Sequence, residues 1–165
     1  MIKKVLFFLI YLLNNSYLAI YSQNTIIISK DNFALYVINN RSDTLFSAPV
    51  GLGTNYGSKT RRGDKKTPEG VFTISQIQNS NNWTHDFKDG YGERKGAYGP
   101  WFFRLKVPKN SSIGIHGTCF PNSIGTRCSE GCIRMRNEDI VKLRKYIKVG
   151  MRCVILSDSS KSDER

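Results

Sequence analysis

Short apolar runs rich in β-branched and aromatic residues recur along the chain, each closed by turn-forming residues. This pattern excludes a helical bundle. Thr25-Ile26-Ile27-Ile28 is the first run, punctuated by Asp31-Asn32. Phe33 to Ile38 is the second. Asn39-Asn40-Arg41-Ser42 then turns the chain, and Thr44-Leu45-Phe46 opens a third. Three such runs with tight turns predict a β-meander. Val71 to Ile74, introduced by Thr67-Pro68-Glu69-Gly70, reads as another strand, as do Trp101 to Leu105, Ile113 to His116 and Cys153 to Leu156. One stretch has the helical period instead: Asn137-Glu138-Asp139 followed by Ile140, Val141, Leu143, Tyr146 and Ile147. Asn137 predicts the cap, the acids fill the first turn, lysines lie towards the end and Gly150 predicts the stop. The expectation is a mainly β domain with one helix in its C-terminal half.

Two connections stand out. Residues 51–66, rich in Gly, Lys and Arg, read as a loop, and the basic run Lys59 to Lys66 as a solvated face. Residues 79–99 read as a long polar loop studded with Trp83, Tyr91 and Tyr98, aromatics that either line a groove or anchor the loop on the core. Long loops inside compact domains are functional or disordered. His85 lies in this loop and reads as a solvated histidine.

The N-terminus has the layout of a secretory signal peptide over residues 1–22: Lys3 and Lys4, an apolar run from Val5 to Leu13, a polar break at Asn14-Asn15-Ser16, and small residues at Ala19 and Ser22. Cleavage is expected after Ser22, with Ala19 as the alternative. The apolar run is too short for the ~20 residues that span a bilayer, so membrane contact is expected only during export. The domain is then expected over residues 23–157, with a polar tail at 158–165. The 25 Lys+Arg against 13 Asp+Glu give a formal charge of +12. A basic exported domain suits an anionic partner such as a cell wall or a membrane surface. Zinc-finger, recognition-helix and aromatic-interleaved basic patterns are missing, so nucleic acid is not an expected partner.

Chemistry concentrates in two stretches, Ile115-His116-Gly117-Thr118 and Ser129-Glu130-Gly131-Cys132-Ile133-Arg134-Met135. A cysteine is mostly thiol at neutral pH, and a histidine beside it takes the proton and activates the sulfur. Gly131 lets the backbone approach a substrate carbonyl, and N–H groups of that turn are candidates to hold an oxyanion. On spacing alone, a core cysteine and a satisfied histidine are the commoner outcome.

These stretches resemble the catalytic signature of the YkuD-type L,D-transpeptidase domain, in which H-G-T is followed after a loop by S-x-G-C-I-R-M. Further segments resemble that family in order: Lys66-Thr67-Pro68-Glu69-Gly70-Val71-Phe72 its T-P-x-G-x-F, Ser123-Ile124-Gly125 its S-I-G, and Leu35-Tyr36-Val37 an opening strand. The resemblance covers about residues 24–157. It implies a β-sandwich or barrel-like fold and an exported, periplasmic or wall-associated enzyme of peptidoglycan. It further implies a thiol that attacks a tetrapeptide stem and releases D-alanine. The resulting thioester passes to an acceptor amine as a 3-3 crosslink. Cys132 would be the nucleophile, His116 the base and the Gly117 carbonyl the group that orients it. Arg134, Ser129, Gly131 and Glu130 would lie at the substrate. No metal or organic cofactor is implied. An L,D-carboxypeptidase on the same residues is the nearest alternative, and a non-catalytic wall-binding module the alternative of a different class.

Glu130 departs from the family, which usually has histidine there. A carboxylate beside Cys132 disfavours the thiolate, or pairs with a neighbouring arginine, or positions the acceptor amine. Of the other cysteines, Cys119 and Cys128 bracket the loop between His116 and Cys132. In an oxidising compartment they are expected to pair, closing a short loop, with two unpaired buried thiols as the alternative. Cys153 is expected in the core. A zinc site from His116, Cys119, Cys128 and Cys132 is disfavoured because no Cys-x-x-Cys pair is present.

Overall fold

The computed structural model describes residues 24–110 and 112–159. The expected signal peptide lies outside the described residues, as do residues 160–165 of the expected tail. In chain order the strands are β1 (Thr25–Ser29), β2 (Ala34–Ile38), β3 (Thr44–Pro49), β4 (Leu52–Gly53), β5 (Gly70–Asn79), β6 (Thr84–Asp86), β7 (Glu93–Lys95), β8 (Trp101–Leu105), β9 (Gly114–His116), β10 (Arg127–Ser129), β11 (Ile133–Arg134) and β12 (Arg152–Ile155), and the helix α1 spans Asn137–Leu143.

The expected meander forms: β1 pairs antiparallel with β2, and β2 with β3. Period-2 alternation buries Ile26 and Ile28 on β1 and Leu35 and Val37 on β2. Burying an aliphatic side chain of this kind contributes about 1.5–3 kcal/mol. The main sheet has eight strands in the order β11-β9-β8-β5-β12-β1-β2-β3. β12 lies parallel to β1 and antiparallel to β5. Ten residues long, β5 serves both halves of this sheet. Its first half pairs with β12, and its second half, after an irregularity between Ile74 and Gln76, pairs with β8. A bulge bends its strand, and the sheet curls about this point. That sets β8, β9 and β11 over one end of the core. The fold is thus the expected mainly β one, a curled half-barrel with one α-helix among the described residues.

Several local expectations are corrected. The helix ends at Leu143 instead of running on to Gly150. Beyond it, Lys145 N–H and Tyr146 N–H reach back only three residues, to Lys142 O and Leu143 O, so the last turn tightens. Its cap position is Arg136, and the Asn137 side chain instead accepts from Thr118 N–H. Within residues 79–99, β6 and β7 form a hairpin. The 51–66 segment contains β4, which pairs parallel with β10. The first residues of the polar tail belong to the fold. Asp158 accepts from Gly57 N–H at 2.9 Å and pairs with Arg127 and with Lys30, the latter at 2.9 Å. Lys30 is fully buried and also meets Glu69 at 2.6 Å and Gly57 O at 3.0 Å. A buried ammonium is tolerated only when paired in this way.

Candidate active site

Strand register brings the two chemical stretches together. β9 and β11 run parallel, with Ile115 opposite Ile133 and His116 opposite Arg134. Alternation sends Ile115 and Ile133 into the core, both fully buried. His116, Arg134 and, one residue before β11, Cys132 face the other way, and all three line one cavity of about 350 Å³.

The turn that presents Cys132 is built from its own residues. Ser129 Oγ donates to Cys132 O at 2.6 Å and accepts from Gly131 N–H at 3.0 Å. Ser129 is largely buried and its hydroxyl is used in shaping the turn, while the residue also lines the cavity. The Gly131 N–H used here is correspondingly withdrawn from the oxyanion role expected of this turn. Gly131 has φ +126°, and a Cβ there would lie 2.6 Å from Lys66 O. Only glycine fits both demands.

His116 is fixed on three sides. Its Nδ1 meets Gly117 O at 2.5 Å. Phe102, opposite it on β8, stacks on its ring at 5.4 Å, and Tyr98 meets it edge-on at 4.9 Å. Gly117 is held in turn by a residue that the sequence reading placed elsewhere. Asn137 Oδ1 accepts from Thr118 N–H at 2.9 Å and lies so close that a Cβ on Gly117 or Gly99 would come within 2.3 Å of it. The helical pattern masked this role, since an Asn before an apolar period reads as a cap.

The cavity is strongly basic. Lys59, Arg62, Lys65 and Arg134 line it, and among the described residues Glu130 is the one carboxylate that does. The basic run, expected as a solvated face, is largely exposed and also lines the cavity through Lys59, Arg62 and Lys65, as a loop wrapped on Asp64. Burial alone would raise the Asp64 pKa. Hydrogen bonds from Arg61 N–H, Lys59 Nζ, Thr60 N–H and Lys66 N–H outweigh it and hold the carboxyl well below the usual range. Arg134 donates to Cys128 O at 3.1 Å and lies over the Phe87 ring at 5.2 Å. Its buried Nε has no partner among the described residues. His85, expected in solvent, is part of the cavity wall: Nδ1 lies 3.1 Å from Tyr98 Oη and Nε2 3.6 Å from Glu130 Oε2.

Burial dominates the ionisation of both central groups. It lowers the His116 pKa from 6.5 to about 3, against the hydrogen bond to Gly117 and with small contributions from Arg134 and His85. It raises the Cys132 thiol above 9.0, although a backbone hydrogen bond at Gly114 and the charges of Arg134 and Lys59 pull it down; Glu130 adds to the rise. Cys132 Sγ lies 3.5 Å from Ser112 O, to which the thiol donates. At neutral pH the site therefore holds a thiol and a neutral imidazole.

The remaining cysteines are all unpaired. The expected Cys119–Cys128 bridge is not formed in this structure: Cys128 is on β10, which pairs with β4, and its sulfur packs where a Cβ on Gly51 would be, 2.6 Å away. Cys153 is in the core, its thiol pushed up to about 12 by burial. Among the described residues no three His, Cys, Asp or Glu side chains converge as metal ligands would.

Fold and cavity together define a curled mixed-sheet domain that sets a cysteine and a histidine on neighbouring parallel strands. The L,D-transpeptidase catalytic domain model, YkuD, matches residues 23–156, and the chain belongs to that family. The chain is similar to Bacillus subtilis YqjB, with 29% identity over 140 residues, 84% of this chain and 74% of that protein. In fold it is similar to L,D-transpeptidase 3 of Mycobacterium tuberculosis, solved with a faropenem-derived adduct. The TM-score is 0.62 and the identity 14%, over 82% of this chain and 61% of that one. It is also similar in fold to the helical cell shape determining protein Pgp2 of Campylobacter jejuni. Here the TM-score is 0.61 and the identity 20%, over 83% of this chain and 49% of that one.

Proposed function

We propose that the protein is an exported L,D-transpeptidase acting on peptidoglycan peptide stems, with Cys132 as nucleophile and His116 as general base. The observation that carries the reading is the fixed tautomer of His116 in the cavity that Cys132 also lines. Gly117 O can only accept, so Nδ1 bears the hydrogen and the Nε2 lone pair is free. The Cys132 sulfur attacks the carbonyl before the terminal D-alanine while its proton passes to Nε2. With the thiol high and the imidazole low, proton transfer accompanies S–C bond formation and does not precede it. The imidazolium then protonates the departing amine, D-alanine leaves, and a thioester remains. An acceptor amine resolves it as a 3-3 crosslink.

The basic lining supports a stem substrate, whose carboxylates meet Arg62, Lys65 and Arg134. The faropenem-derived adduct on the tuberculosis relative supports acylation of Cys132 by β-lactams of that class. The cell-shape role named for the Campylobacter relative supports a wall-shaping task. Mass spectrometry of tetrapeptide muropeptides after incubation with the protein tests the reading. Loss of D-alanine with dimer formation is the expected result. Tripeptides without dimers would make the protein an L,D-carboxypeptidase, and unchanged muropeptides would reduce it to a wall-binding module.

A further inference from the structure

Where its family usually has a histidine two residues before the nucleophile, this chain has Glu130. The fold returns a histidine to that neighbourhood from the hairpin: His85 on β6 directs Nε2 at Glu130 Oε2, 3.6 Å away. The His85 ring is held edge-on by Phe87 at 4.6 Å and by Tyr98 at 5.7 Å. Burial, with the charges of Cys132 and Glu130, raises the Tyr98 pKa and keeps the phenol protonated. Tyr98 Oη, 3.1 Å from His85 Nδ1, is placed to donate to it, and in that arrangement the ring hydrogen sits on Nε2, facing the carboxylate. Glu130 is aimed and yet not covered, with 59% of its side chain open.

Its surroundings are cationic. Of the basic residues lining the cavity, Lys59 is engaged by Asp64 at 2.7 Å, while Arg62, Lys65 and Arg134 leave the field positive. An anionic stem fits such a site. An acceptor that arrives as an ammonium does not, unless it meets the one carboxylate in the wall.

Resting on the acyl-transfer reading above, we infer that Glu130 is the acceptor-binding residue, receiving the primary ammonium of the acceptor, and that His85 is the positioning residue that aims it. The bound ammonium releases one proton to water, and its freed lone pair attacks the thioester carbonyl carbon. The C–N bond forms as the C–S bond breaks. The second nitrogen proton returns through His116 Nε2 to the Cys132 sulfur.

The test is the partition of one thioester. The full chain is acylated with a synthetic stem tetrapeptide, and the thioester is offered two nucleophiles in parallel. One is a stem peptide with a free primary amine, cationic at neutral pH; the other is hydroxylamine, uncharged at neutral pH. For each, aminolysis is measured relative to hydrolysis, so any change in acylation cancels. In Glu130→Gln the quotient of the cationic over the neutral ratio is expected to fall about tenfold, as for a charge-assisted pair that is partly exposed, through a higher KM for the amine. His85→Phe keeps the ring packing and removes the Nε2–H; it is expected to lower the same quotient about threefold. Glu130→Asp should recover part of it. A quotient equal to wild type in Glu130→Gln overturns the inference, whether both ratios hold or both fall together. A wild-type protein that releases no D-alanine overturns the acyl-transfer reading itself, and that is seen before any acceptor is added.

Discussion

His116 Nδ1 lies 2.5 Å from Gly117 O, and an oxygen that can only accept decides where the imidazole hydrogen sits. His116→Gln keeps a polar side chain and removes the Nε2 base. Turnover of a stem tetrapeptide is expected to fall about 100- to 10,000-fold, the range for a lost general base. Near-normal turnover would take His116 out of the reaction.

The same residue makes stability pH-dependent. The His116 pKa falls from 6.5 to about 3 on burial, so between those values the unfolded chain binds a proton here that the folded chain does not. This contribution to stability is complete above pH 6.5 and is lost as pH falls towards 3. Denaturant midpoints measured across that window should drop with pH in wild type and drop less steeply in His116→Gln. Equal slopes would contradict the buried neutral ring.

Cys132 is expected to react as a thiol that must first ionise. Its pKa lies above 9.0, so the rate of iodoacetamide alkylation should still be rising at pH 9.0, with no plateau at neutral pH. An acidic inflection would reveal a preformed thiolate–imidazolium pair. Cys132→Ala should form no adduct with carbapenem-type β-lactams by intact mass.

Ser129 tests whether the turn is built from within. Ser129→Ala removes the bonds to Cys132 O and Gly131 N–H, and leaving buried partners unmet costs about 1–3 kcal/mol. Melting temperature and acylation rate should fall together, and Ser129→Thr should restore both. A Ser129→Ala protein with unchanged melting temperature but a raised substrate KM would return the hydroxyl to the substrate.

Asn137 links the helix to the His116–Thr118 segment. Asn137→Ala frees Thr118 N–H and opens space beside Gly117. Turnover should drop about tenfold, with a loss of about 1–2 kcal/mol in stability. Asn137→Asp, which keeps the acceptor oxygen, should recover most of both.

Thiol counting separates the two accounts of Cys119 and Cys128. With all cysteines unpaired, four thiols should titrate in denaturant without reductant. A count of two would show the bridge.

Much of the fold was legible because strand propensity is local. The runs at Thr25, Ala34 and Trp101 are short, apolar and rich in β-branched or aromatic residues, and each became a strand. Cys132 and His116 were legible for a different reason: they stand in two short stretches that together resemble a known catalytic signature. Other features depended on segments far apart in the chain. His85 looked like a loop residue, and only the hairpin placed it beside Glu130. Asp158 looked like tail, yet it pairs with Lys30 across most of the chain, and with Arg127. Asn137 looked like a helix cap, and its side chain instead lies against Gly99 and Gly117. The sequence by itself determined β1, β2, β3, β5, β8, β9, β12 and the helix, because each follows from interactions between near neighbours. Only the tertiary structure decided what surrounds the thiol, its charge, its desolvation and the histidine on Glu130. Those depend on through-space distances that no spacing along the chain encodes.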